Sequence, residues 1–386
     1  MFRSIPGVPQ RAAVALTRES DPERAGYFAA CEAAVDIGRR AVESVIVFAA
    51  GAHAKSAEAV AAGVARAIPH ATVVVSGGVD VMAPEGESDG ESTLSVLTLT
   101  TRIAVSTVTN AGTPRSLGER LGRPLRTDEP CPFLFLARGH IFEPECVEGF
   151  FAETGAVDVM GGGISEGSTL AVRVPGGPLE RVSALAVRFD DGVRMSAGVS
   201  PGVVRLTDLL PVERIEEGFV TSLGGHRPLE LLADVTRRRG ERSLVLVAIA
   251  PRGEGHHRAN QCLVRGVTGV HPVKGAVHLG SEIREGDRVA FATPDAHAAF
   301  DDFRTMLRSL ERGLRGGVPI AGLYVGCGSR GSRLFSRPGA DARILRSALE
   351  DLPFAGMYSS FEIGPFDGRP RMHVYSGVLS VLYAPS

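Results

Sequence analysis

A strand-like run, Leu323-Tyr324-Val325, leads into Gly326-Cys327-Gly328-Ser329-Arg330-Gly331, which sets a thiol, a hydroxyl and a guanidinium in one glycine-rich turn. Glycines let backbone N–H groups converge as an anion-binding nest, and an arginine fork can grip a carboxylate or phosphate through two hydrogen bonds. Cys327, Gly328, Arg330 and Gly331 are therefore candidate ligand residues for an acidic small molecule. The competing reading is a tight turn in which Cys327 is a small buried hydrophobe. Further along, Phe361-Glu362-Ile363-Gly364-Pro365 precedes His373, Tyr375 and Ser376. On one strand, alternation would aim His373 and Tyr375 from the same face into a pocket. Cys327, His373 and Glu362 also have the types of a nucleophile, a base and its orienter, but no local catalytic-cysteine signature surrounds Cys327. Gly51-Ala52-His53-Ala54-Lys55-Ser56 lacks the glycine that a Walker loop places before its lysine, so nucleotide hydrolysis is disfavoured. His256 and His257 follow Pro251-Arg252-Gly253-Glu254-Gly255, which reads as a solvated loop more readily than as a metal site.

The elements that would hold these residues alternate along the chain. Pro22 to Val42 is an alanine-rich amphipathic stretch, Ser44 to Phe48 a β-branched run, Lys55 to Ile68 helical and Thr72 to Val75 strand-like. Gly77 to Gly90 is rich in Gly, Pro, Glu and Asp and predicts a surface loop. Phe133 to Ala137, Glu145 to Glu153 and Val157 to Met160 form a strand–helix–strand unit closed by Gly161, Gly162 and Gly163. Thr169 to Leu223 reads as an antiparallel meander, and a helix from Arg227 to Arg239 stops at Gly240, the expected domain boundary. The second half predicts a long helix from Pro294 to Gly313, a strand from Ile320 to Gly326 and a closing strand from Met372 to Tyr383. No fixed-period repeat is visible, which argues against a solenoid.

The order and spacing of Cys327 to Gly331, Leu352-Pro353-Phe354-Ala355-Gly356, Glu362-Ile363-Gly364-Pro365 and His373-x-Tyr375-Ser376 resemble the FIST (F-box and intracellular signal transduction) sensory family. The strand Val45 to Ala49 with His53, the Gly161 to Ser165 turn, and Arg265 are similar to features of its earlier part, so the resemblance runs from about Ala41 to the end. It implies an N-terminal FIST half, 41–240, and a C-terminal FIST half, 241–386, after a helical lead-in, 1–40. It also implies a small-ligand sensor, with an amino acid or another small carboxylate as the ligand class, and adds Gly162, Gly163, Ser165 and Arg265 to the candidate ligand residues. Some relatives bind haem and report nitric oxide to a histidine kinase, which would make His373 the first candidate axial ligand. No kinase, cyclase, methyl-accepting or F-box segment is visible, so output is expected to pass through a separate partner such as a histidine kinase. Ser200-Pro201-Gly202-Val203-Val204-Arg205 stands where relatives carry Gly-Cys-Arg-Pro, and Ser359, Ser360 and Phe361 replace a Tyr-Gly, so the ligand is open to difference.

Bulk properties narrow the classes. The 386 residues exceed what one core usually organises, and 44% are hydrophobic with 22% charged, as in a globular chain. A net charge of −2 provides no field for nucleic acid. Arg237, Arg238 and Arg239 are better explained by a helix dipole. Five widely spaced cysteines without a Cys-x-x-Cys pair suit a reducing compartment, and the apolar runs are too short for a bilayer span. The expectation is an α+β (mixed α/β) fold of two domains, each a mixed, largely antiparallel β-sheet covered by helices. The expected role is a stand-alone cytoplasmic sensor, not an enzyme, with no cofactor and with a homodimer allowed. A haem-based nitric oxide sensor and a Cys327-dependent enzyme are the alternatives.

Overall fold

The computed structural model describes residues 11–110, 112–239, 244–250, 261–280, 283–314 and 316–386. His256, His257 and Gly240 lie outside them. The fold is α+β, and it divides into two compact units that are discontinuous in sequence. Unit 1 comprises Met1–Gly198, Leu307–Met372 and Gly377–Ser386, and unit 2 comprises Val199–Met306 and His373–Ser376. The boundary expected near Gly240 therefore falls inside unit 2.

Unit 1 contains one order of elements three times. The first repeat runs β1 (Ala12–Thr17), α1 (Pro22–Ala33), β2 (Ser44–Ala49), α2 (Ala57–Ala67), β3 (Thr72–Gly77), the hairpin β4 (Val81–Ala83) and β5 (Gly86–Glu87), then β6 (Leu94–Leu99). The second runs β7 (Ile103–Val108), α3 (Pro114–Gly122), β8 (Phe133–Arg138), α4 (Pro144–Thr154), β9 (Val159–Ile164), the hairpin β10 (Leu170–Arg173) and β11 (Leu179–Arg181), then β12 (Ala184–Phe189). The third opens with β13 (Arg194–Ser200). Between it and α6 (Ala296–Gly313) the chain supplies β14 (Val203–Arg205), β15 (Leu210–Glu216), β16 (Phe219–Leu223), α5 (Pro228–Arg239), β17 (Leu246–Ile249), β18 (Leu263–Gly266), β19 (Gly269–His271), β20 (Ala276–His278) and β21 (Arg288–Pro294). The repeat then resumes with β22 (Val318–Cys327), α7 (Ser332–Phe335), α8 (Ala340–Leu349), β23 (Phe354–Ser359), the hairpin β24 (Glu362–Phe366) and β25 (Arg369–His373), and β26 (Gly377–Ala384).

Each repeat builds most of a six-stranded sheet around a parallel pair, β2 with β3, β8 with β9, and β22 with β23. Parallel neighbours need a crossover, and the helix between each pair supplies it. The hairpins do not join their own sheets. β4 pairs with β23, β10 with β3, and β24 with β9, so each repeat completes the sheet of another in a closed cycle.

Local sequence explains the helices. Asp21 caps α1 by accepting from Arg24 N–H at 2.8 Å, Thr113 caps α3, and both helices carry Pro in the first turn. Gly26 and Gly63 let α1 and α2 cross backbone to backbone, and Gly118 and Gly149 do the same for α3 and α4, leaving no room for a Cβ. Val45, Val47, Val73 and Val75 bury one face of the first sheet under Ala25, Ala29, Val60 and Val64. In unit 2 an eight-stranded sheet, β18-β17-β21-β15-β16-β20-β19 with β14 beside β21, packs Leu246, Ala248, Val264 and Ala290 into its core. No helix among the described residues is long and apolar enough to cross a membrane.

Several sequence expectations are corrected. Residues 1–40 are not a purely helical lead-in, because β1 pairs antiparallel with β6. Gly77 to Gly90 is not a free surface loop: Val81, Met82 and Ala83 are fully buried against the third sheet. The stretch Thr169 to Leu223 is not one meander, since its strands are dealt to all four sheets. There are three sheets in unit 1 rather than one per half, and the repeat that generates them is topological, without a fixed sequence period. His373 and Tyr375 do not share a strand. His373 ends β25, and Tyr375 lies in the bend between β25 and β26 at φ 59°.

The exchanged hairpins make the sheets interdependent, so a fragment 228–386 lacks β4, β5, β9 and β13, on which β23, β24 and β26 pair. Expressed alone it should show weak, non-cooperative unfolding by circular dichroism. Co-expression with residues 1–227 should restore a cooperative transition, and a cooperatively folded fragment on its own would contradict the interdependence.

Candidate functional site

The three parallel strand pairs end together. Val79 N–H donates to Tyr358 O at 2.8 Å, Ser165 N–H to Gly77 O at 3.2 Å, and Ser360 N–H to Gly163 O at 3.1 Å. Each bond runs from the residues after one repeat's β3-type strand to the corresponding strand of another repeat, closing a ring at one pole of unit 1. The ring also sets equivalences. Tyr358, Gly77 and Gly163 are matched, as are Val79, Ser165 and Ser360. The neighbouring β2-type strands end in Ala50-Gly51, Arg138-Gly139 and Cys327-Gly328. In two of these repeats the residue before the glycine donates its N–H across to the next antiparallel strand, Ala50 to Thr93 O at 2.9 Å and Arg138 to Ser183 O at 3.0 Å. C-terminal ends of parallel strands are where α/β proteins place ligands.

Gly162, Gly163, Ser165, Glu362, Cys327 and Gly328 are all in this part of unit 1. The glycines serve close packing rather than anion binding. A Cβ on Gly162 would strike the Val325 side chain and Phe361 O, and one on Gly163 would strike Ser360 and the Phe361 ring. Gly328 N–H is spent on Ser359 O at 2.8 Å. Ser165 Oγ and Ser168 Oγ are hydrogen-bonded at 2.5 Å. Glu362 is fully buried opposite Gly162, with Ser359 Oγ 3.3 Å from its Oε1. The Cys327 thiol accepts from Ser329 Oγ at 3.1 Å.

Arg330 has a different environment from the one its turn suggests. Its guanidinium pairs with Asp341 through Nε to Oδ2 at 3.2 Å and Nη2 to Oδ1 at 3.1 Å, with side-chain exposures of 1% and 0%. Tyr324 and Tyr358 both donate to Asp341 Oδ2, at 3.0 and 3.2 Å. Burial opposes the Arg330 charge, but the adjacent Asp341 raises its pKa overall, while burial pushes both tyrosines well up. Tyr358 also donates to Glu87 Oε1 at 3.1 Å, and Glu87 accepts from Gly339 and Ala342 N–H at 2.9 Å each, anchoring the exchanged hairpin to the start of α8. Burial raises the Glu87 carboxyl. This network borders a small cleft lined by Asp80, Glu87, Gly331, Arg333 and Tyr358 among others. Arg330 is thus held by a carboxylate of its own chain, and the carboxylate-clamp role read from its turn belongs to a structural ion pair. Gly331, at φ 58°, packs on the Tyr358 ring at the start of α7.

Arg265, His373 and Tyr375 fall in unit 2. Arg265 is buried on β18 and donates from Nη1 to Val264 O at 2.9 Å. His373 is 2% exposed, and Tyr375 packs on the unit 2 core. Burial pushes the Cys146 and Cys262 thiols up to about 11, which makes them inert at neutral pH. Among the described residues no group of three or more His, Cys, Asp or Glu could hold a metal ion.

Comparison with known proteins bears on this arrangement. The FIST N domain matches residues 43–226 and the FIST C domain residues 228–365. The chain belongs to the FIST family. An uncharacterized protein of Mycobacterium tuberculosis is 28% identical over 202 residues, covering 49% of this chain and 51% of that one. One of Mycobacterium bovis is 26% identical over 175 residues, covering 42% and 44%. The chain thus spans about half the length of the curated relatives it matches. Among solved structures, cyanuric acid hydrolase from A. caulinodans aligns over 97% of this chain and 99% of its own at TM-score 0.34 and 11% identity, too low to carry chemistry across. Val79, Gly163 and Ser165 lie in the FIST N match, and Tyr358 and Ser360 in the FIST C match, so the polar ring is made by both.

Sequence reasoning missed Arg138, Ser360, Asp341 and Glu87. The strand-end pattern of a residue followed by glycine, shared by Arg138-Gly139 and Cys327-Gly328, was the available signal for Arg138; Asp341 and Glu87 gave none. Removing one partner of a buried pair strands the other charge. Asp341→Ala should therefore cost about 3–5 kcal/mol in urea unfolding. The double variant Arg330→Met with Asp341→Leu should cost clearly less, and an equal or larger loss would show that the pair stabilises beyond its charges.

Proposed function

We propose that this FIST protein is a sensor that binds a small ligand at the pole of unit 1 where the three strand pairs end, and that it passes its state to a separate partner protein. The observation that carries the reading is the ring of three backbone hydrogen bonds, which gathers Ser165, Ser359, Ser360, Cys327 and Arg138 from both FIST regions at the strand ends. Hydroxyls, a thiol and a guanidinium are recognition groups, and the order imposed by backbone bonds prepositions them before a ligand arrives. Cys327 brings a thiol to the same place, where it accepts from the Ser329 hydroxyl. The ligand class is an amino acid or another small carboxylate.

The purified chain should be screened by thermal shift against amino acids, small carboxylates and haemin, with an absorbance spectrum for each. A ligand at about a hundred times its Kd adds about 2.7 kcal/mol, a rise of several degrees. Ser360→Val, which places a branched side chain against Gly139 and Gly163, should abolish the response. A response confined to haemin, with a Soret band lost in His373→Ala, would replace this reading by a haem sensor. Turnover of a bound probe that disappears in Cys327→Ser would replace it by an enzyme.

A further inference from the structure

On β8, Phe133 and Phe135 face α4, where their rings meet Phe150 at 5.3 Å each. Side chains alternate along a strand, so Leu134, Leu136 and Arg138 face the opposite side. That side is the space between sheets: Gly162, the partner of Leu136 on β9, abuts Val325 of the third sheet. Arg138 therefore points from the last position of β8 into the inter-sheet space at the pole.

Arg138 is half-buried, and its Nε is sealed from solvent without a hydrogen-bond partner among the described residues. Among the described residues no carboxylate pairs with it. A buried N–H without an acceptor is costly, and a charged one more so. The contrast with Arg330 is informative, because Arg330 uses Nε and Nη2 together on Asp341. In Arg138 the Nε of the same edge meets no acceptor among the described residues. Ser360 Oγ, bonded to Ile164 O at 3.3 Å, lies against the neighbouring Gly139.

We infer that Arg138 is the anchor for the carboxylate of a small ligand, which it grips side-on through Nε–H and Nη–H at the pole of unit 1. This rests on the small-ligand reading above and names the group that recognises the ligand. A planar carboxylate matches that edge of a guanidinium in both spacing and charge, whereas a dianionic phosphate would keep a charge unmatched beside a single arginine. Arg138 takes the position that Ala50 and Cys327 hold in the other repeats, so the pole has one guanidinium at that level and binds the carboxylate in one orientation.

The test uses the full chain, with succinate and L-glutamate as probes and succinamide and L-glutamine amide as their uncharged-end controls. The carboxylates should raise the midpoint of wild-type unfolding by several degrees and the controls should not. Arg138→Met should weaken carboxylate binding on the order of a hundredfold in calorimetry. Arg138→Lys keeps the charge but not the fork, and should recover only part of the affinity. A second readout separates recognition from structure. Without probe, Arg138→Met should unfold at or above the wild-type midpoint, because it removes a buried donor that has no partner; a structural arginine would lower it. Equal carboxylate shifts in wild type and Arg138→Met, or a bridging water only, seen as no carboxylate response in wild type, would overturn the inference. In either case a probe response lost in Ser360→Val would leave the small-ligand reading standing, and no response to any probe would remove both.

Discussion

The exchange of hairpins among the three sheets of unit 1 is the constraint on which the rest depends. A two-stranded hairpin is marginal by itself, and the edge of a parallel pair is a row of unpaired backbone groups. Each repeat solves both problems by giving its hairpin to another repeat's edge. Because the gifts form a closed cycle, the three strand ends must arrive at one place. The bonds from Val79, Ser165 and Ser360 to Tyr358, Gly77 and Gly163 are the geometric result.

That closure sets what each position can hold. Two of the three acceptors are glycines, and Gly163 has no space for a Cβ because the Phe361 ring fills it. Phe361 stacks on Phe142 with ring centroids 4.1 Å apart, so the second sheet closes its strand end with aromatic rings. The first sheet closes with hydrogen bonds, Thr169 Oγ1 bridging Ala54 O and Ala57 N–H. In the third sheet Tyr358 occupies the glycine position, and its hydroxyl is shared between Glu87 and Asp341. Three solutions to one topological problem thus leave different chemistry in each repeat, and divergence of this kind erases a sequence period while keeping the backbone pattern.

Much of the fold was legible where one segment decides its own structure. The β-branched run at Ser44 to Phe48, the helical stretch at Lys55 to Ile68 and the long helix ending at Gly313 appear close to where periodicity places them. The family was legible because the motif cluster from Cys327 to Ser376 is local and ordered. The functional reading of Arg330 was not, because its partner Asp341 is approached only after the chain turns through α7. Gly77 to Gly90 was misread for a related reason. Its polar, turn-rich composition is that of a hairpin, and nothing in those residues names the sheet that receives it.

The sequence by itself determined the elements, the α+β class, FIST membership and the set of reactive residue types, since propensity, periodicity and local motifs act over a few residues. Tertiary structure alone decided which hairpin completes which sheet, that Arg330 is committed to Asp341, and that Arg138 Nε is buried without a hydrogen-bond partner among the described residues. Those outcomes depend on contacts between residues far apart in the chain, as between Glu87 and Ala342, and a buried charge takes its role from whatever distant group meets it after packing.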